Sequence, residues 1–134
     1  MTVGTWLRIH RAWMPTFWVA ALALWPGASS ADWVRVGESD TVFSYVEEST
    51  IDVQESTIKV WVLLDFKQPD AKGARSQKFQ EVFDCENGAS RTAYRIVTTG
   101  PMGSGNVLMS LLLTEPATPI PDNSLRDTIF QIIC

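Results

Sequence analysis

Two cysteines, three clustered carboxylates, four aromatic rings and a glycine-rich hexapeptide are the groups whose types and spacing suggest chemistry. Glu81, Asp84 and Glu86 could supply the carboxylate pair of a glycoside hydrolase or ligate calcium. In an extended segment Glu81 points away from Asp84 and Glu86, which weakens both uses and leaves a solvated acidic edge as the plain expectation. Gly100-Pro101-Met102-Gly103-Ser104-Gly105 is glycine-rich, but no Lys-Ser/Thr pair follows it and an apolar segment does, so it is expected to be a structural loop and not a phosphate cradle. Trp33 and Trp61, with Tyr45 and Tyr94, could form an aromatic platform for a sugar or a protein; packing in the core is the competing role for Trp61.

What is missing narrows the chemistry further. The only histidine is His10, and it falls in a segment expected to be removed. The remaining chain then has no imidazole for a Ser-His or Cys-His nucleophile system and no histidine ligand for zinc or copper. No catalytic residue, metal site or cofactor site is expected, and a carboxylate-based hydrolase is the weakest reading.

Arg8, His10 and Arg11 give a basic start, Met14 to Trp25 is an apolar run, and Pro26-Gly27 breaks any helix. Ser29-Ser30-Ala31 places small residues before Asp32. This is the three-part pattern of a secretory signal, so residues 1–31 are expected to be cleaved, leaving a domain of residues 32–134. A membrane anchor is the competing reading, but the run is shorter than the roughly twenty residues a span requires. No later run is long enough to span. With Asp32 following Ala31, no cysteine stands near the cut to carry a lipid, so the product is expected to be exported and not a lipoprotein.

The domain so defined has 103 residues, enough for one modest core. Losing Arg8 and Arg11 takes the 11 Lys+Arg down to 9 against 15 Asp+Glu, a net charge of −6. That balance speaks against nucleic acid and anionic membranes as partners, since both attract clustered cations. Cys85 and Cys134 survive cleavage and reach an oxidising compartment, where a bridge between them is expected. Two free thiols are the alternative, although the pair forms no CxxC motif.

The elements that must position these groups are mostly strands. Asp32 to Gly37 and Thr41 to Val46 are short β segments, and Glu47 to Glu55 is polar with room for a turn or an extended piece. In Thr57 to Phe66, Ile58, Val60, Val62, Leu64 and Phe66 recur at period two and define a core face. The opposite face is apolar at Trp61 and Leu63, which predicts a central strand covered there by a helix or a partner chain. Gln77 to Cys85 and Ser90 to Thr98 form a hairpin about Glu86-Asn87-Gly88, with Thr92, Tyr94 and Ile96 expected on one face of the return arm. Val107 to Leu113 is a further strand with Val107, Met109, Leu111 and Leu113 as its apolar set. Thr114 to Asn123 holds three prolines and predicts an extended connector. Ser124 is a candidate N-cap with Asp127 three residues on. Leu125, Ile129, Ile132 and Ile133 then give a short amphipathic helix ending at Cys134, too short to persist without packing.

Phe83-Asp84-Cys85-Glu86-Asn87, followed by the Gly100–Gly105 hexapeptide, resembles the surface-adhesin protein E family of small exported bacterial proteins. Asp32-Trp33-Val34, Tyr45, the segment Lys59-Val60-Trp61-Val62-Leu63 ending at Asp65, and Pro121-Asp122-Asn123-Ser124 before the terminal Cys134 agree with it. The resemblance spans the chain after the signal. It implies an α+β domain: an antiparallel sheet of about six strands, one C-terminal helix packed on it, one disulfide and dimerisation. It also implies a non-catalytic role at the bacterial surface, binding host extracellular-matrix or serum proteins. The best-known surface members carry an acylated cysteine after the signal, where this chain has Asp32. A periplasmic accessory or structural protein with no host ligand is therefore the alternative. No ligand-binding residue carries over.

Overall fold

The computed structural model describes residues 31–134, together with Gly4. The signal expected over residues 1–31 therefore lies outside the described residues, apart from Gly4 and Ala31.

Six strands make the sheet, in the order β1 (Trp33–Glu38), β2 (Val42–Glu47), β4 (Thr57–Phe66), β5 (Ser76–Asp84), β6 (Ala89–Thr98) and β7 (Val107–Leu112), all antiparallel. Two short strands are added: β3 (Asp52–Gln54) on β4, and β8 (Thr118–Pro119) on the start of β6. Helix α1 (Leu125–Ile133) closes the chain. The α+β expectation holds, with its antiparallel sheet and single C-terminal helix. Strand β4 has the bounds its β-branched and aromatic composition predicts.

One sheet face is the core. Val46, Val60, Val62, Phe79 and Phe83 are buried on it, and Ile129 of α1 packs against them with Leu125, Phe130 and Ile133 alongside. Burying an isoleucine this completely contributes about 2 kcal/mol, which a helix of 9 residues needs in order to persist. Ser124 caps it: its Oγ accepts from the Asp127 backbone N–H at 3.1 Å, while Asp127 Oδ2 accepts from the Asn123 N–H at 3.0 Å. At the other end Cys134 is bonded to Cys85, with Cα atoms 5.5 Å apart. The hairpin turn and the chain's last residue are thereby joined across 49 positions. In the chain-entropy picture such a loop is worth about 4 kcal/mol.

Two expectations about the sheet's faces are corrected. Gln80 pairs with Tyr94, yet Glu81 pairs with Thr92, so Ala93 is an extra residue in β6. This bulge flips the alternation, placing Thr92 on the core face and Tyr94 on the opposite one. The second correction concerns Leu63, fully buried on the face away from α1. Helix α1 lies on the other face, and what covers Leu63 here is a loop with one short 3-10 turn, Pro101–Gly103. This Gly100–Gly105 loop folds back over the strand, held by a bond from the Met102 N–H to Asp65 Oδ1 at 3.0 Å and from the Gly103 N–H to Ser76 Oγ at 2.8 Å. Gly103 sits at φ +79°, and a Cβ there would meet the Lys78 side chain at 2.9 Å. The positive backbone angle is what calls for glycine, since the flexible Lys78 chain could swing away from a Cβ.

Candidate binding surface

The acidic cluster does not assemble. Glu81 is fully buried on the core face, contrary to the solvated edge expected of it. Its Oε2 accepts from Thr92 Oγ1 at 2.8 Å, and Arg126 Nε of α1 stands 2.8 Å from Oε1. The arginine N–H is not aimed along that line, so Oε1 has charge compensation without a well-formed hydrogen bond. Asp84 instead organises the hairpin turn. Its Oδ1 accepts from the Glu86 and Asn87 N–H groups and its Oδ2 from Asn87 Nδ2 at 2.7 Å. The Asn87 side-chain bond, seconded by the backbone donors, holds the Asp84 carboxyl below its ordinary range. Glu86 is exposed. One carboxylate is a core ion pair, one a turn cap and one a surface charge, so no acid–base pair exists here. Among the described residues no group of three or more His, Cys, Asp or Glu is placed to hold a metal.

The four aromatic residues do share a face. Strand register puts Trp33, Tyr45, Trp61 and Tyr94 on the side opposite α1, each partly exposed. Trp61 and Tyr94 meet edge to face with centroids 6.0 Å apart. Trp61 is thus neither a core residue nor a free platform, but a half-covered ring stacked on its neighbour.

The most exposed apolar surface lies elsewhere, on β7. This strand ends the sheet, pairs only with β6 among the described strands, and carries no charge over Val107-Leu108-Met109-Ser110-Leu111-Leu112. Its exposure runs from 40% at Met109 to 72% at Leu112. One bulge, at Leu108, displaces its first residues; Met109 to Leu112 stay in regular register with β6. An open groove flanks the strand on each side. The helix-side groove holds about 540 Å³ between Phe66, Gln77, Val97 and Met109. The other holds about 690 Å³ between Lys59, Gln80, Arg91 and Leu112. A long, uncharged edge presents unpaired backbone donors and acceptors together with apolar side chains on both faces, which is the arrangement another strand can join. The sequence marked Val107, Met109, Leu111 and Leu113 only as an apolar set. The available signal was that Leu108 and Leu112, on the alternate positions, are apolar too.

The family described as Surface-adhesin protein E matches residues 33–134. No curated protein matches the sequence. Among solved structures, crystal form II of Haemophilus influenzae protein E is similar at 15% identity, with 81% of this chain and 91% of that chain covered and a TM-score of 0.57. A second structure of Haemophilus influenzae protein E covers 81% and 88% at 16% identity, with a TM-score of 0.56. Protein E from non-typeable Haemophilus influenzae covers 81% and 79% at 16% identity, with a TM-score of 0.53. At these identities the likeness is one of fold.

Proposed function

The chain belongs to the surface-adhesin protein E family, and from that membership we propose that it is an exported, non-catalytic binding protein whose partner docks along β7. The observation that carries the reading is the bare apolar edge, Met109 to Leu112, with a groove on each side. An extended segment of a host extracellular-matrix or serum protein would add to the sheet there. Main-chain hydrogen bonds would supply affinity, and the grooves would select side chains. No described helix is long and apolar enough to cross a membrane. Export by a cleaved signal over residues 1–31, without a lipid anchor, is part of the same proposal.

A second copy of the chain fits this edge as well, since two β7 strands can pair about a two-fold axis. Sedimentation of the unsubstituted protein beside Leu111→Lys tests this. A dimer that the lysine dissociates supports self-pairing, and a monomer in both cases removes it.

Protease treatment of intact cells, with a periplasmic protein as control, tests the exported-adhesin reading itself. Digestion of this protein while the control survives is the expected result. Survival of both would place it inside the envelope, where an accessory role without a host ligand takes over.

A further inference from the structure

Among the described residues, three side-chain polar atoms are buried without a hydrogen-bond partner: Glu81 Oε1, Ser90 Oγ and Arg95 Nε. Ser90 and Arg95 line one small cavity with Thr92 and Arg126, the two residues that hold Glu81. The cavity opens beside β6, between Leu113, just past β7, and strand β8 at Thr118. The order of the strands explains it. β7 pairs with β6 from Tyr94 onward and β8 pairs with Ala89 and Ser90, so the chain between them bows outward and leaves a gap.

Donors dominate the lining. Arg95 and Ser90 lie on the core face of β6 with Arg126 of α1 beside them, and Arg91 lines the gap from the opposite face; Ser90 is only 2% exposed. No ion pair among the described residues involves Arg91 or Arg95. A buried hydroxyl and a buried guanidinium N–H left unpaired cost free energy unless something in the cavity accepts from them. Glu115 also lines the gap. Arg126 already balances Glu81, which leaves Arg95 on the core face as a guanidinium without an ion pair among the described residues.

We propose that this cavity is a binding site for a carboxylate group. A single negative charge matches the unpaired Arg95 guanidinium, whereas a phosphate dianion would bring a second charge close to Glu81 and Glu115. A guanidinium presents two parallel N–H donors that match a planar carboxylate. The volume is about 130 Å³, far below that of a drug-sized pocket. It admits a carboxylate and a few further atoms, not a whole ligand. Two sources share this chemistry: the acidic side chain of a protein partner and a free small carboxylate. The cavity adjoins the groove on the far side of β7, sharing Arg91, Leu113, Glu115 and Pro116 with it, but the carboxylate proposal does not depend on whether that edge takes a partner.

The test follows the Arg95 and Arg126 Nε–H resonances by NMR during titration with acetate, with acetyl-aspartyl-methylamide and with sulfate, at constant ionic strength. Saturable shifts with both carboxylates in the millimolar range, and none with sulfate, are expected of one desolvated ion pair. Arg95→Gln should weaken binding about tenfold, Arg95→Lys should restore only part of it, and Ser90→Ala should weaken it a few-fold. Lys67→Gln, far from the cavity, should change nothing. Tighter binding of the aspartyl compound identifies a protein side chain as the source; equal binding identifies a small carboxylate. Either result supports the proposal. It is overturned by sulfate binding as tightly as acetate, by the absence of saturable shifts, or by unchanged affinity in an Arg95→Gln protein that melts normally.

Discussion

The two edges of the sheet are built in opposite ways. At one, β1 carries Arg35 and Glu38, and its bulge at Val36 breaks the register with β2. Lys67 bonds Glu38 at 2.8 Å, and the cations of Arg35 and Lys67 stand 5.2 and 4.7 Å from the Phe43 ring centre. Helix α1 reaches this side, where Val36 and Leu125 both pack against the core. At the other edge β7 has no charge, and α1, the α-helix among the described residues, packs on the core and toward β1 instead. Charges, bulges and covering elements are how sheet proteins prevent edge-to-edge association. This chain applies all three devices to β1, and to β7 only a bulge at Leu108 that leaves Met109 to Leu112 regular. An edge left open beside an edge so defended is better explained by a partner than by neglect.

The comparison can be broken first by removing what closes the β1 side. Replacing Cys85 and Cys134 together with serine frees the end of α1 and should lower stability by about 4 kcal/mol, read as a urea midpoint shift. An unchanged midpoint would mean that packing alone holds the helix. Arg126→Ala comes next. It leaves the Glu81 carboxylate buried without a countercharge and should cost about 2–3 kcal/mol, below the full cost of breaking a buried pair because Arg126 is partly exposed. Adding Glu81→Gln should recover much of that loss, and failure to recover would show that the arginine acts by packing. Leu112→Thr on the open edge should move stability by no more than about 0.5 kcal/mol, since the side chain is mostly in water already. A larger loss would mean that β7 is covered in the free protein.

The smallest effect concerns pH at β1. The Lys67 side-chain hydrogen bond lowers the Glu38 pKa against an opposing desolvation, with the charges of Lys67 and Arg35 adding to the lowering. The contribution of that pair is present above the unfolded-state pKa of the carboxyl and is lost as pH falls through its lowered folded value. An NMR titration of the Glu38 carboxyl should show a midpoint below the ordinary range, rising toward it in about 1 M salt.

Local rules made much of this fold legible. The period-two pattern of Thr57–Phe66 gave a strand with its core face, Ser124 gave the helix cap, and the two cysteines gave the bridge. Three features escaped because each depends on a distant part of the chain. The bulge at Ala93 arises from pairing with β5, so Thr92 and Tyr94 could not be placed on faces by counting along β6. Glu81 looked like a surface acid because its countercharge, Arg126, arrives on a helix 45 positions later. The apolar letters of β7 do not say which strand ends the sheet. The candidate surface therefore needed the strand order before it could be seen.

Val34 on β1 and Leu111 on β7 are a matched pair: both face the helix side of an edge strand, at 40% and 45% exposure. Binding of the exported protein to a surface coated with basement-membrane extract should be abolished by Leu111→Lys and left intact by Val34→Lys. Equal loss from both, loss from Val34→Lys alone, or no binding by the unsubstituted protein would contradict the assignment of β7 as the working edge.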